Sequence, residues 1–246
     1  MPVLSETEVT SPAEAGKVPR RIFSPIAAGY DRPAFVLSLF QYRRWHRFLL
    51  SRLDSHRTAS VLDMATGTGA LALDLLAGTD ANVTGADITR PMLFEVQSRA
   101  NCRFDGRLRL VECSAEAPPF AEASFDAVTF AYLLRYVSNV PATLQALASL
   151  LRPGGVMATL DFALPRSVWY PLWRLYTGAV LPAAGRLYSR HWRDVGAFLG
   201  PSIREFYRRW PEERLLEAWR EAGFRDVRAQ RLSLGGAIVV WGRKEG

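Results

Sequence analysis

Apolar positions along the chain keep two periods, and the changes from one to the other mark its elements. Val61 and Leu62 read as the end of a buried strand, and Ala70 to Leu76 then follows helical spacing. Val83 to Ala86 is a short strand ending in Asp87, with a helix over Pro91 to Ala100 after it. Leu108 to Cys113 alternates as a strand, and Phe125 to Tyr132 is a further apolar strand. A helix over Ala142 to Leu151 is expected to stop at Arg152-Pro153-Gly154-Gly155, before a strand over Val156 to Phe162. This rhythm predicts a mainly parallel sheet covered on both faces. Right-handed crossovers then bring the strand carboxyl ends to one rim, gathering Asp63, Asp87, Ser114 to Glu116, Ala131 to Arg135 and Asp161 to Ala163 there.

The flanks depart from this rhythm. Ala34 to Leu53 reads as one basic amphipathic helix, with Phe35, Leu39, His46, Leu49 and Leu53 among its apolar-face positions and Arg43, Arg44, Arg47 and Arg52 elsewhere. It is either a helix packed on the sheet with a solvated arginine face, or a lid that also touches membrane. Residues 164–210 are dense in aromatics and arginine and carry no lysine, as suits a lid over a greasy ligand. Arginine interleaved with aromatics also suits stacking on nucleic acid, but no nucleic-acid module is recognisable, and none is expected as a partner. Pro211 to Ala222 reads as a helix closed by Gly223. Val227 to Leu234 and Ala237 to Gly242 form an antiparallel hairpin around Gly235-Gly236, the last two of seven strands.

Composition adds bounds. The 246 residues, 49% of them apolar, suffice for one full core but not for two large ones. Residues 1–19 carry no apolar run and read as a disordered tail, leaving 20–246 as one domain with a helical cap over 20–56. No apolar stretch is long enough to span a bilayer. Cys102 and Cys113 are too few for a disulfide framework, which makes a reducing cytoplasm the expected setting. The net charge of +7 favours anionic lipid head groups, nucleic acid or anionic substrates without choosing among them.

The chemistry centres on Val61 to Leu73, VLDMATGTGALAL. A strand, a glycine turn and a helix start make a nucleotide-type site at the carboxyl end of a sheet. Gly67, Gly69 and Ala72 fit G-x-G-x-x-[GA], and Asp87 stands where that pattern wants its ribose acid. A dinucleotide pyrophosphate would meet Asp63 as an uncompensated negative charge. S-adenosylmethionine instead brings an ammonium, a sulfonium and a ribose diol, and is the expected ligand. A turn with no ligand is the bland alternative.

From about Phe23 to Lys244 the chain resembles the ubiquinone/menaquinone biosynthesis C-methyltransferase family, a class I S-adenosylmethionine-dependent group. The resemblance rests on Tyr30-Asp31 with Ser38 and Trp45, DMATGTG, AEAPPF at Ala115 to Phe120, LLRYV at Leu133 to Val137, LRPGG at Leu151 to Gly155 and AGF at Ala222 to Phe224. Where the family pattern has Met-Asn, His, Asn and Glu-x-Ser, this chain has Pro33-Ala34, Tyr42, Tyr136 and Asp161-x-Ala163. The resemblance implies a Rossmann-like fold, S-adenosylmethionine as cofactor and no metal. It places Asp63 and the backbone of Ala65, Gly67 and Gly69 on the donor's methionine part, and Asp87 on its ribose. Ile88, Met92, Ser114, Ala115 and Glu116 would then border the adenine. Its acceptor is an isoprenoid quinol methylated on ring carbon, faced by Tyr30, Tyr42, Tyr132 and Tyr136. Arg135 would stabilise the phenolate, with His191 and Asp161 as candidate bases. Peripheral contact with the anionic inner face of a membrane is expected alongside. The same scaffold also serves O- or N-methylation of other small molecules or phospholipids, methylation of RNA or protein, and non-catalytic donor binding.

Overall fold

The computed structural model describes residues 17–53, 58–101, 103, 104 and 106–246. The two rhythms resolve into β1 (Ser60–Met64), β2 (Asn82–Asp87), β3 (Leu108–Glu112), β4 (Phe125–Ala131), β5 (Leu151–Phe162), β6 (Phe224–Leu232) and β7 (Ala237–Lys244). They form one sheet in the order β3-β2-β1-β4-β5-β7-β6. Pairing is parallel from β3 through β5, and β7 runs antiparallel to both β5 and β6. The chain winds outward from β1 to β3 and returns to β4 on the other side of β1. That reversal opens a crevice at the carboxyl ends of β1 and β4.

Both sheet faces are buried, and the period of two shows in their packing. Leu62, Val128, Phe130, Met157, Ile238 and Val240 face one layer, where Leu144, Leu147 and Trp219 cover them. Val61, Val83 and Ala127 face the other, against Leu75 and Leu76, while Ala158, Leu160 and Val239 meet Trp45 and Leu49. Each fully buried leucine or phenylalanine contributes about 1.5–3 kcal/mol. The covering helices on the parallel half are α4 (Ala70–Gly78), α5 (Arg90–Ala100) and α6 (Val140–Ser149), with α10 (Glu212–Glu221) beside the hairpin. Gly223 follows α10 at φ +88°, the left-handed position expected of it.

Four expectations need correction. The segment read as a tail contributes its last three residues to helix α1 (Lys17–Phe23); residues 1–16 of it, and Cys102, lie outside the described residues. The helix expected over 34–53 is two, α2 (Asp31–Leu37) and α3 (Tyr42–Leu50). Between them Ser38 takes the Tyr42 amide on its hydroxyl at 3.2 Å and gives its proton to the Phe35 carbonyl at 2.9 Å. Leu39 and Phe40 turn the chain at φ 52° and 62°. A serine bonding its own backbone offers the chain an alternative to the helix ladder. Arg152 to Gly155 is not a helix stop but a bulge in β5: Leu151 pairs with Phe125, and the next pair is Val156 with Ala127. The expected strand over Val227 to Leu234 begins at Phe224 and ends at Leu232, and Ser233–Gly235 is a 3₁₀ turn.

The insertion over 164–210 is helical: α7 (Trp169–Leu175), a π turn (Tyr176–Val180), α8 (Leu181–Tyr188) and α9 (Arg190–Arg209). A Cβ on Gly185 would stand 2.5 Å from the Trp192 carbonyl oxygen, and one on Gly196 2.8 Å from that of Leu181. Only glycine lets α8 and α9 approach so closely. Ile203, Phe206 and Tyr207 of α9 are buried, and Tyr207 donates its hydroxyl to the Phe162 carbonyl at 3.1 Å. The insertion is thus a lid clamped to the end of β5. No helix among the described residues is long and apolar enough to cross a membrane.

Candidate active site

A cavity open to solvent lies over the carboxyl ends of β1, β2 and β4. Its floor is the glycine turn. Asp63 ends buried beneath it, accepting the Thr129 hydroxyl at 2.8 Å on one oxygen and the Thr66 hydroxyl at 2.7 Å on the other. Burial pushes its pKa up to about 6; the two hydroxyls oppose that rise and the nearby Asp87 adds to it. Asp87 accepts the Gly67 amide at 2.9 Å and the Thr89 amide at 2.7 Å, and burial raises its pKa against those two bonds. Gly67 has φ +56°, and a Cβ there would meet nothing within 4 Å, so its bare backbone faces open cavity. Gly69 has another task. It caps α4 at φ +80° beneath Val96, whose Cγ1 would lie 2.7 Å from an added Cβ.

The cradle continues through Ile88, Met92, Ser114, Ala115 and Glu116, all on the cavity wall. Glu116 is fixed by Ser138, whose amide donates to it at 3.0 Å and whose hydroxyl bonds the same oxygen. The cap reaches down to this floor. Asp31 accepts the Thr68 hydroxyl at 2.8 Å and pairs with Arg99 at 2.6 Å, while the Arg20 side chain bonds the Ile88 carbonyl at 3.0 Å.

The roof is aromatic. Tyr30, Tyr42, Tyr132 and Tyr136 line the cavity with Phe23. Burial raises the pKa of all four, so each is a neutral phenol near neutrality. Ala65 and Tyr132 both have positive φ, 56° and 59°, at the strand ends that face the cavity. Such non-glycine strain costs on the order of 1–3 kcal/mol and collects at functional sites.

The three candidate catalytic groups are not on the cavity wall. Arg135 and Asp161 form an ion pair at 3.1 Å with side chains 2% and 9% exposed. Arg135 also donates to the Ser202 hydroxyl of α9 at 3.2 Å and lies over the rings of Tyr136 and Phe162. Burial alone would lower its pKa; Tyr136 and Asp161 more than reverse that, so it stays cationic. Its charge is spent on Asp161, behind Tyr136, where it ties the loop after β4 to β5 and the lid. His191 is exposed in the first turn of α9, not in a loop, and does not line the cavity.

Several cavity residues lie outside the sequence-based site, and His46 is the one with chemistry to offer. His46, placed by its period on the apolar face of α3, is 2% exposed and lines the cavity. Its ring lies 4.0 Å from that of Tyr42, centroid to centroid, and its Nε2 has no hydrogen-bond partner among the described residues. Burial depresses its pKa to about 3. The Tyr132 hydroxyl is likewise buried without a partner among the described residues. Leaving such a group unpaired costs about 1–3 kcal/mol. The spacing was the available signal: Tyr42 and His46, four apart, share a helix face.

These residues fit S-adenosylmethionine. The cradle offers two buried carboxylates and bare glycine backbone, and the cavity wall carries no lysine or arginine among the described residues. A pyrophosphate would have no counter-charge there. Comparison with known proteins agrees. A model described as the ubiE/COQ5 methyltransferase family matches residues 12–244. The ubiquinone/menaquinone biosynthesis C-methyltransferase UbiE of Desulfotalea psychrophila is 35% identical over 227 residues, 91% of this chain and 89% of its own. The demethylmenaquinone methyltransferase of Tropheryma whipplei is 34% identical over 222 residues, 89% of each chain. Among solved structures, a possible histamine N-methyltransferase from Thermotoga maritima shares the fold, with a TM-score of 0.63 at 17% identity over 92% of this chain and 99% of that one. A match across nearly the whole length, on a sheet and cradle built for this donor, means that the protein is an S-adenosylmethionine-dependent methyltransferase and belongs to the ubiE/COQ5 methyltransferase family.

Proposed function

We propose that the protein methylates a ring carbon of a prenylated quinol of the demethylmenaquinol kind. The observation that carries this reading is the join between the donor cradle and an aromatic roof in one cavity whose described wall has no cation. A phosphate-bearing acceptor would be desolvated there without a partner, whereas a neutral dihydroxy ring finds flat faces and hydroxyl partners. The relatives' names, which specify quinone C-methylation and demethylmenaquinone methylation, point the same way.

Bound in the cradle, S-adenosylmethionine supplies an electrophilic methyl group on a positive sulfur. Asp63 holds the ammonium end and Asp87 the ribose. The tyrosine roof fixes the acceptor ring over the cradle and keeps water out, and such alignment supplies much of the rate. The test is transfer of labelled methyl to reduced demethylmenaquinol, with the product's methylated atom assigned by NMR. Ring-carbon methylation that requires the reduced form is the expected result. No product from the quinol, with an amine, phenol oxygen or phospholipid methylated instead, would overturn the reading.

A second expectation concerns where such a substrate is met. Cap and lid expose Leu39, Phe40, Trp169, Leu172, Leu175 and Leu187, with Arg43, Arg44, Arg47, Arg174, Arg186 and Arg190 exposed on the same elements. Tyr176 of the lid hydrogen-bonds the Leu37 carbonyl, which joins the two. Apolar side chains among arginines suit peripheral contact with an anionic bilayer on the cytoplasmic side. Vesicle sedimentation should show binding that weakens with salt; equal binding to neutral and anionic vesicles would contradict it.

A further inference from the structure

We propose that His46 is a catalytic residue, its Nε2 accepting the hydroxyl hydrogen bond and then the hydroxyl proton of the phenolic acceptor, with the Tyr132 hydroxyl as the acceptor's second partner. The proposal rests on the quinol reading above and adds to it the base that the reaction needs.

The other ionisable groups on the cavity wall are already engaged or of the wrong kind. Asp63 takes two threonine hydroxyls, Asp87 two amides and Glu116 the amide and hydroxyl of Ser138. The four tyrosines are held neutral, and burial, with Asp87 nearby, pushes the Cys113 thiol up to about 11, too high for it to serve as a thiolate base. Outside the cavity wall, Arg135 is paired with Asp161, and His191 is exposed. His46 remains. It is buried and lines the cavity, and nothing described satisfies its Nε2. Tyr42 packs its ring on His46, and Tyr42, His46 and Tyr132 line the same cavity. The two unsatisfied tips therefore belong to one aromatic pocket. Buried polar groups are nearly always paired, so two without partners among the described residues, on side chains that line one cavity, point to ligand atoms as the missing partners.

Burial disfavours imidazolium at this position. A phenolate formed opposite the ring supplies a counter-charge within the same low dielectric. In the step, the ring carbon's electrons form the new carbon–carbon bond as the methyl–sulfur bond breaks and its pair goes to sulfur. The hydroxyl proton moves to His46 Nε2, and the oxygen becomes a ring carbonyl. The hydrogen on the methylated carbon then leaves as a proton to water, and the imidazolium returns its proton to the oxygen as the ring becomes aromatic again. One proton is released overall, matching the loss of the sulfonium charge.

The test combines kinetics with a measurement that needs no turnover. His46→Ala should lower turnover with the reduced quinol by about a hundredfold or more, the usual range for a lost general base. Calorimetric affinity for the demethylated donor should be unchanged, which also shows that the variant folds. Added imidazole should restore part of the lost rate, an effect that a packing role would not give. In the wild-type protein, ¹⁵N-histidine NMR with demethylated donor bound should show one imidazole shifting when a phenolic product analogue is added; the chain has three histidines, so assignment by single substitution is direct. Wild-type-like turnover in His46→Ala, or an unshifted His46 resonance on analogue binding, would overturn the proposal and leave the quinol reading standing. A wild-type protein inactive on the quinol would overturn that reading, and this proposal with it.

Discussion

The floor and the roof of the cavity are built on opposite plans. On the floor both aspartates are already hydrogen-bonded, Asp63 by Thr66 and by Thr129 of the adjacent strand, and Asp87 by Thr89 and by Gly67 of the turn after β1. The roof comes from α1, the residue that precedes α2, α3 and the loop after β4, and among the described residues the Tyr132 hydroxyl and His46 Nε2 have no partners. A pre-satisfied floor binds one ligand in one pose, since its groups need no rearrangement. An unsatisfied roof instead stores polar cost that an incoming ring can relieve. The proposed division of tasks follows this difference, with the donor on the floor and the acceptor selected and activated by the roof.

The largest effect expected tests what joins the halves. Asp161→Ala leaves the Arg135 guanidinium buried and unpaired, which should destabilise the fold by about 3–5 kcal/mol. A chemical denaturation midpoint equal to that of the wild type would show that the pair does not brace the loop after β4 against the lid. If the fold survives, donor affinity should change far less than stability, because neither residue lines the cavity.

A smaller effect sharpens the picture of the floor. Burial raises the pKa of Asp63 from its ordinary 3.8 to about 6, so the folded protein holds a proton there that the unfolded chain has released. The stability this group contributes is full below about 3.8 and is lost as pH rises through about 6. Donor binding runs the opposite way, because the donor's ammonium favours the ionised carboxylate. Affinity should fall roughly tenfold between about pH 7.5 and about pH 5, with proton release on binding near pH 6. Calorimetry in buffers of different ionisation heat measures both. Affinity constant across that range would remove Asp63 from the ammonium site.

The same contrast explains what the sequence disclosed. The floor was legible because its parts are local. Asp63, Gly67 and Asp87 sit at fixed offsets within one βαβ unit, and the strands around them announce themselves by period and by the turns between them. The sheet, its hairpin and the lid insertion were legible for the same reason. The roof was not, because it is assembled by tertiary approach. Periodicity put His46 on an apolar face without revealing that this face overhangs the cavity. Arg135 and Asp161 lie 26 residues apart in the chain, and their mutual pairing, which removes both from the cavity wall, becomes visible only in three dimensions. The break at Ser38 was hidden because the apolar spacing runs on through it, while the serine's own hydroxyl bonds end the helix.

Steady-state kinetics of two variants tests this division of labour most directly. Asp87→Ala should raise the donor KM roughly tenfold or more and leave kcat close to wild type, because a hydrogen bond to a charged group contributes about 1.5–3 kcal/mol. His46→Ala should do the reverse, lowering kcat about a hundredfold with the donor KM unchanged. If both substitutions moved the same constant in the same direction, floor and roof would share one task, and the separation of donor binding from acceptor activation would be contradicted.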